Sequence, residues 1–449
     1  VSAAAAPAHA AATLRPGAPA PTTPDARVAG AMKGFAREIG ALSAFRLESC
    51  IHCGICAEGC HYYIATEDPQ YTPIWKVEVF KQAYKREASP LAPLVRLLGF
   101  KRAVRADQLE QWQHLLYDSC NLCGRCSLIC PMGIDVTALI EQARSAMFEA
   151  GLAPPALYHR AAHQRETGQP EATAEPLREQ LQAIGERFEV PLPIDQDAAD
   201  VMLCVSRTDI EHYPAAVAAL ARLMQHLGVS CTFRSAALVA ENYGYYAGAK
   251  DWQGEISRRL IEQAIACGAR TLIIPECGHA YTALRWEAAD LYGGPLPFEV
   301  LAASEFLAAE LAAGRLKLRR AAGPTVTFQD PCQLARRGGV EAAPRLLMQA
   351  MGIDLREMKN HGAFGFCCGG GGGVINIASA RPLHYRTMET KMHEIEAAGG
   401  EVLLTSCSDC RYTFDDAQAH FPGAKAPASL LELVAQHLDD QRAPAGKPA

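Results

Sequence analysis

Two stretches of the chain carry one cysteine spacing: Cys50-x2-Cys53-x2-Cys56-x3-Cys60, and Cys120-x2-Cys123-x2-Cys126-x3-Cys130 followed by Pro131. Three thiolates at intervals of three, on short loops that turn successive side chains inward, wrap one four-iron cube. The fourth, leading into a helix, crosses to the other cube. The spacing therefore predicts one [4Fe-4S] cluster on Cys50, Cys53, Cys56 and Cys130, and a second on Cys120, Cys123, Cys126 and Cys60. Gly54 and Gly124, each directly after the second cysteine of its motif, permit the tight turns. Paired Cys-x2-Cys units also bind zinc; two identical four-cysteine motifs, the second ending in Cys-Pro, favour iron–sulfur cubes. A fully thiolate-ligated cube has no open coordination position, so such a pair moves electrons rather than hydrolysing bonds.

The remaining cysteines extend that chemistry. There are 17 in 449 residues, too dilute for a disulfide-stapled miniprotein and odd in number. A net charge of -6, from 43 basic and 49 acidic side chains, speaks against a nucleic-acid binder. No run of about 18 uncharged apolar residues predicts a membrane span. The Ala/Pro-rich start lacks the basic and apolar regions of a secretory signal. A reducing, cytoplasmic setting for the thiols is the expectation.

The pattern divides the chain into a disordered tail (1–27), a mainly α-helical two-cluster ferredoxin domain (28–150), a helical linker (151–198), and two α/β halves (199–315 and 323–440). The fold class is thus α+β multidomain. VMLCV, TLIIP, VTFQD and EVLLT are strand-length apolar runs separated by helical stretches, the mark of α/β units. Cys204, Cys277, Cys332 and Cys407 stand at or just after such runs, where ligands of these folds gather. Between the cluster motifs, residues 76–105 hold Lys76, Lys81, Lys85, Arg86, Arg96, Lys101, Arg102 and Arg105 against Glu78 and Glu87. That basic segment suits an anionic membrane surface, an acidic partner, or an ordinary solvated helix face.

In the final third, Cys332 is followed after 34 residues by Cys367-Cys368-Gly369, then after 37 more by Cys407-x2-Cys410. Neighbouring side chains diverge, so an adjacent Cys-Cys pair suits an opened-out cluster with its irons further apart. Gly369, Gly370 and Gly371, within a run reaching Gly373, let the backbone approach such a cluster and aim N–H groups at its sulfurs. The preceding half reads as a decayed copy. IIPECGHAY (273–281) aligns with LLTSCSDCR (403–411), and YGYYAG (243–248) with FGFCCG (364–369). Tyr246, Ala247 and Ala280 then replace three of five ligands, and this half is expected to bind no cluster. Cys204 and Cys277 read as remnants of that site, Cys231 and Cys267 as core residues.

The Cys-x34-Cys-Cys-Gly-x37-Cys-x2-Cys element resembles the cysteine-rich CCG domain of heterodisulfide reductases and related iron–sulfur oxidoreductases. ESCIHCGICAEGCHYYIATEDPQYTPIWK, YKREASPLAPLVRLLG and LLYDSCNLCGRCSLICPMGID resemble one branch, the DsrK-like catalytic subunits of membrane-bound DsrMKJOP complexes. The resemblance implies a non-cubane [4Fe-4S] cluster on Cys332, Cys367, Cys368, Cys407 and Cys410, the third cluster of the chain, with no flavin or haem. It implies a disulfide or trisulfide on a DsrC-like sulfur-carrier protein as substrate. It also implies a membrane cytochrome b-type subunit, other membrane-complex subunits and the quinone pool as partners, hence a peripheral position at the inner face of the cytoplasmic membrane. His279 is a candidate proton donor, with His361, Glu276, Lys250 and Arg207 as weaker pocket candidates. A competing resemblance is to the iron–sulfur subunits of glycolate, lactate and glycerol-3-phosphate dehydrogenase assemblies, where a flavoprotein handles the substrate.

Overall fold

A computed structural model describes residues 23–439 other than 101 and 322. The chain is mostly helical, with two small parallel sheets. The expected N-terminal tail falls largely outside the described residues, but its last residues are helical. The Thr23 Oγ1 accepts the Ala26 N–H at 3.2 Å and caps helix Pro24–Glu38. That helix lies along helix Val136–Glu149, so both flanks of the cysteine motifs meet in one bundle.

The bundle's core includes Phe35, Phe80, Trp112, Tyr117 and Leu139, and it also takes in Tyr245, Tyr246, Val374 and Ile377. The helical region is therefore packed into the rest of the molecule rather than standing apart at residue 150. Residues 151–198 differ from the expected linker with one helix. They form helices Pro155–Thr167 and Leu177–Arg187, because the prolines at their starts open helices rather than break them. Gln164 is buried there, donating to Glu241 O at 2.5 Å and accepting from Tyr243 N–H at 3.0 Å.

The first sheet contains β1 (Val201–Leu203), β2 (Cys231–Phe233), β3 (Thr271–Ile274) and β4 (Glu299–Ala302), ordered β2-β1-β3-β4 and all parallel. The second contains β5 (Val326–Gln329), β6 (Val402–Thr405) and β7 (Pro427–Ser429), ordered β5-β6-β7 and also parallel. A single parallel bridge from Val326 to Leu355 stands on the free side of β5, where β2 stands beside β1. Burial on both faces explains why the inner strands read as unbroken apolar runs. Helix Pro214–Leu227 of the first lobe packs on helix Leu430–Gln436 of the second, and helix Ala303–Ala312 of the first on helix Ala342–Met351 of the second. One apolar core, with Phe233 and Ile273 from one sheet and Phe328 and Leu404 from the other, runs through both lobes.

Among the described residues no helix is long and apolar enough to cross a membrane. The basic segment is not one solvated face. Lys76 and Lys81 are buried, Lys76 donating to Ser119 O and Lys81 lying 2.8 Å from His52 Nε2.

Candidate iron–sulfur path

The two cysteine motifs adopt matching backbones. His52 and Leu122, the residues before each second cysteine, have φ of 56° and 52°, and Gly54 and Gly124 have φ of 80° and 79°. Left-handed turns on both sides of that cysteine curl the loop around its own centre. Cys50, Cys53, Cys56 and Cys130 line one cavity with Ile51, Val77 and Pro131. Cys60, Cys120, Cys123 and Cys126 line another with His61, Lys76 and Asn121. Burial pushes the Cys56 thiol up to about 11, with Cys50, Cys130 and Cys53 adding to the shift. Burial likewise raises Cys126, with Cys123, Cys60 and Cys120 as its thiol neighbours. Each set is four soft donors without a carboxylate, a donor set suited to thiolate-held iron. Cys53 is exposed, which puts the first set at the surface.

The other five thiols converge as well. Cys332 follows β5, Cys407 follows β6 and precedes helix Ser408–His420, Cys410 lies in that helix's first turn, and Cys367-Cys368 ride a loop between the strands. All five are buried and share one cluster with Met358, Met388 and Phe414. The Cys332 and Cys367 sulfurs are 3.7 Å apart, and the Gly369 N–H donates to the Cys367 sulfur at 3.4 Å. Hydrogen bonds from Cys332 and Cys368 hold the Cys367 thiol well below its ordinary range, while bonding to Cys367 and burial push Cys332 up. Five converging thiols exceed what a cube can take and fit an opened-out cluster.

The second and third sets adjoin. Cys123 packs against the five-thiol group. The Asn121 side-chain amide donates to Gly369 O at 2.5 Å and Gly371 O at 3.0 Å, and Gln333 donates to Leu122 O at 2.9 Å. Three guanidiniums join the same seam through backbone carbonyls. Arg144 reaches Cys120 O and Gly372 O, both at 2.8 Å; Arg336 reaches Cys123 O at 2.7 Å and Ala363 O at 2.6 Å; Arg125 reaches Glu58 O at 3.1 Å and Phe364 O at 2.9 Å. Positive charge from Arg336 opposes the burial shift at both Cys123 and Cys332. The glycine run is packed, not loose: a Cβ on Gly370 would lie 2.1 Å from Thr413 Oγ1, and one on Gly372 2.7 Å from the Asn121 carbonyl carbon.

His279 is buried between the lobes. Its Nε2 accepts the Gly372 N–H at 3.0 Å, which places the ring proton on Nδ1, 3.5 Å from Asp409 Oδ2. Tyr246 meets His279 edge to face at 4.8 Å between centroids. Cys204 and Cys277 are buried, each thiol raised by desolvation. Glu276 bridges the lobes, accepting from Ser429 Oγ at 2.8 Å through its side chain and from Ser408 Oγ at 2.9 Å through its carbonyl. His361 is exposed, Lys250 pairs with Glu38 at 2.7 Å, and Arg207 pairs with Glu211. Sequence reasoning missed Arg125, Arg144, Arg336, Asn121 and His384. Only Asn121 and Arg125, inside a cluster motif, carried a local signal. The His384 Nε2 is buried without a hydrogen-bond partner among the described residues, and its ring edge lies 2.8 Å from where a Gly369 Cβ would stand.

Residues 49–135 match the 4Fe-4S dicluster domain family, and residues 326–415 the Cysteine-rich domain family, CCG. One component of the dihydromethanophenazine:CoB–CoM heterodisulfide reductase of Methanosarcina barkeri is 24% identical, over 90% of this chain and 96% of its own. The chain is a heterodisulfide reductase-like iron–sulfur oxidoreductase. An Hdr-like menaquinol oxidoreductase iron–sulfur subunit of Archaeoglobus fulgidus is also 24% identical, over 87% of this chain and 80% of its own. The EtfAB:quinone oxidoreductase of Syntrophomonas wolfei is 28% identical over 81% of this chain, which spans 54% of that protein. A solved structure of a hypothetical protein from Helicobacter pylori has a similar fold, with a TM-score of 0.50 at 10% identity, over 92% of this chain and 77% of that one.

Proposed function

We propose that this protein opens or forms a disulfide or trisulfide on a DsrC-like sulfur-carrier protein. Electrons would be exchanged with a membrane cytochrome b-type subunit and the quinone pool. The observation that carries the reading is the order of the three thiol sets: one at the surface, one inside it, and a five-thiol set at the far end against the inner one. Cys50, Cys53, Cys56 and Cys130 would hold the outer cube, Cys60, Cys120, Cys123 and Cys126 the inner cube, and Cys332, Cys367, Cys368, Cys407 and Cys410 a non-cubane cluster. When bound, the cubes would supply one-electron transfer and the third cluster the two-electron conversion of an S–S bond, two electrons and two protons into two S–H groups: two thiols from a disulfide, a thiol and a persulfide from a trisulfide.

The chain's own residues arrange that site. Asn121, His279 and Arg144 fix the glycine run from three sides, so its N–H groups are preorganised beside Cys367 and Cys368. His279 Nδ1 and His384 Nε2 are both buried without a hydrogen-bond partner among the described residues, and both rings border the glycine run, so either imidazole is placed to move a proton to a departing thiolate. Burial lowers the His384 pKa, which disfavours its charged form, and His279 also positions Gly372 through Nε2. The two lobes read as one repeat, a degenerate half (199–315) and an intact half (323–440). Their matching parallel strand orders and the reciprocal packing of their helices support this.

The test is electron paramagnetic resonance on anaerobically purified protein before and after a sulfur-carrier disulfide or trisulfide is added. A substrate-dependent change at one non-cubane centre is expected, lost in C367A and C368A while the cube signals persist. No change despite verified carrier binding would sink direct S–S chemistry at this site. The likeness to EtfAB:quinone oxidoreductase supports a second reading, an electron conduit for a flavoprotein. That reading predicts cluster reduction by a reduced flavoprotein and silence toward the carrier.

A further inference from the structure

The element least explained by an internal electron path is the hairpin between the cluster motifs. Helix Glu78–Glu87 faces the core with Val79, Phe80, Ala83 and Tyr84. Helix Ala92–Leu98 packs beside it and buries only Ala92. Around that second helix Leu91, Leu94, Leu97, Leu98 and Phe100 are 64, 49, 81, 51 and 72% exposed. A seven-residue helix with so much apolar surface in water is an unpartnered element, not an ordinary surface turn.

Its charges specify what covers it. Residues 85–105 contain six basic side chains and one acidic, Glu87, in a protein of net charge -6. Arg96, Arg102 and Arg105 are exposed around the leucines, with Arg96 3.4 Å from Glu87 and Arg105 2.7 Å from Asp107. Only Ala92 of the helix is buried, so its apolar side chains stand out into solvent. An apolar tip with a basic rim matches an anionic bilayer, where leucine and phenylalanine enter the headgroup–acyl boundary and arginines meet lipid phosphates. We propose that the 91–100 segment inserts peripherally into a membrane surface rich in anionic lipid.

The position has a consequence for the outer thiol set. Lys81, on the first helix of the hairpin, lines the cavity of Cys50, Cys53, Cys56 and Cys130 and contacts His52 between two of them. Ile51 and Met132, at the rim of that cavity, are 65 and 43% exposed. Seating the hairpin on lipid brings the mouth of the outer set toward the bilayer. The inference does not depend on the sulfur substrate, since lipid binding needs neither carrier nor electron donor.

The test is flotation of the intact, cluster-loaded chain with vesicles of phosphatidylcholine alone, or of phosphatidylcholine with 30% phosphatidylglycerol. Wild type is expected to float with the anionic vesicles only, less at high salt. The variant L94S/L97S/F100S and the variant R96E/R102E should each bind at least about ten-fold more weakly while keeping wild-type visible absorption and melting temperature. All five substituted positions are exposed, so folding is not at stake. Failure of wild type to bind anionic vesicles, or equal binding by the serine variant, overturns the proposal. Wild-type self-association without vesicles, lost in the serine variant, also overturns it and assigns the patch to a second copy of the chain.

Discussion

Arg144 is wholly buried and has no carboxylate within ion-pair distance among the described residues. All of its N–H groups go to carbonyls: Leu116 O at 3.1 and 2.9 Å, Tyr246 O at 3.0 Å, Gly372 O at 2.8 Å and Cys120 O at 2.8 Å. Its plane also lies over the Tyr117 ring at 4.7 Å. The residue thus ties the loop of the second cysteine motif, the first lobe and the glycine run to one point. Truncation would leave several buried carbonyls unpaired, each costing about 1–3 kcal/mol before relaxation. R144M is expected to lose on the order of 3 kcal/mol of stability. R144K should recover only a fraction, because an ammonium cannot reproduce the planar fork. Thermal unfolding followed by far-ultraviolet circular dichroism checks this; unchanged melting in R144M would show that the carbonyls find other donors.

Among the elements, the glycine run concentrates the structural demands of the site. Gly372 has φ of +64°, and a Cβ there would meet the Asn121 carbonyl carbon at 2.7 Å and Cys120 O at 2.9 Å. Gly399 has φ of +75° with nothing within 4 Å of an added Cβ, so it isolates backbone strain from packing. G399A is expected to cost about 1 kcal/mol, and G372A a further 1–3 kcal/mol, roughly, from the clash. The difference should appear as earlier bleaching of the visible absorption on heating; equal behaviour of the two variants would mean that the Asn121 loop yields freely. What could be read from the sequence follows from how local each cause is. Cysteine spacing and the glycine run are local, and β1, β3, β5 and β6 are apolar because parallel inner strands are covered on both faces. β4 and β7 escaped notice because Glu299 opens the one and Pro427 the other, which breaks the apolar run. Arg144 and Arg336 had no signature, since their partners are main-chain carbonyls up to 228 residues away.

At the scale of the whole molecule, the lobes are joined by acids with little water to solvate them. Glu241 and Asp209 of the first lobe and Asp409 of the second lie close together, with Thr208 Oγ1 donating to Asp409 at 3.2 Å across the junction. Burial foremost, then Asp409 and Asp209, pushes the Glu241 carboxyl up to about 8. Its Oε1 accepts the Arg207 N–H, and its Oε2 has no hydrogen-bond partner among the described residues. Glu276 is likewise raised to about 8, by burial and then Asp209. A folded-state value above the unfolded one means that the native form holds the proton more tightly. The associated stability is complete below about pH 4.5 and is lost as pH rises toward 8. Between pH 6.5 and 8.5 Asp209, raised only to about 6, adds little, while Glu287, raised to about 7 by burial and then Glu141, loses stability in the same direction. Buried His61, lowered to about 4, opposes them only near the bottom of the window. Across that window Glu241 and Glu276 should each remove stability at up to about 1.4 kcal/mol per pH unit, flattening near 8. E241Q keeps an acceptor for Arg207 and abolishes one titration. Its urea midpoint is expected to fall less than that of wild type from pH 6.5 to 8.5, and E241Q/E276Q should be flatter still. Parallel curves for wild type and both variants would show that water reaches the junction and the carboxyls ionise there at little cost.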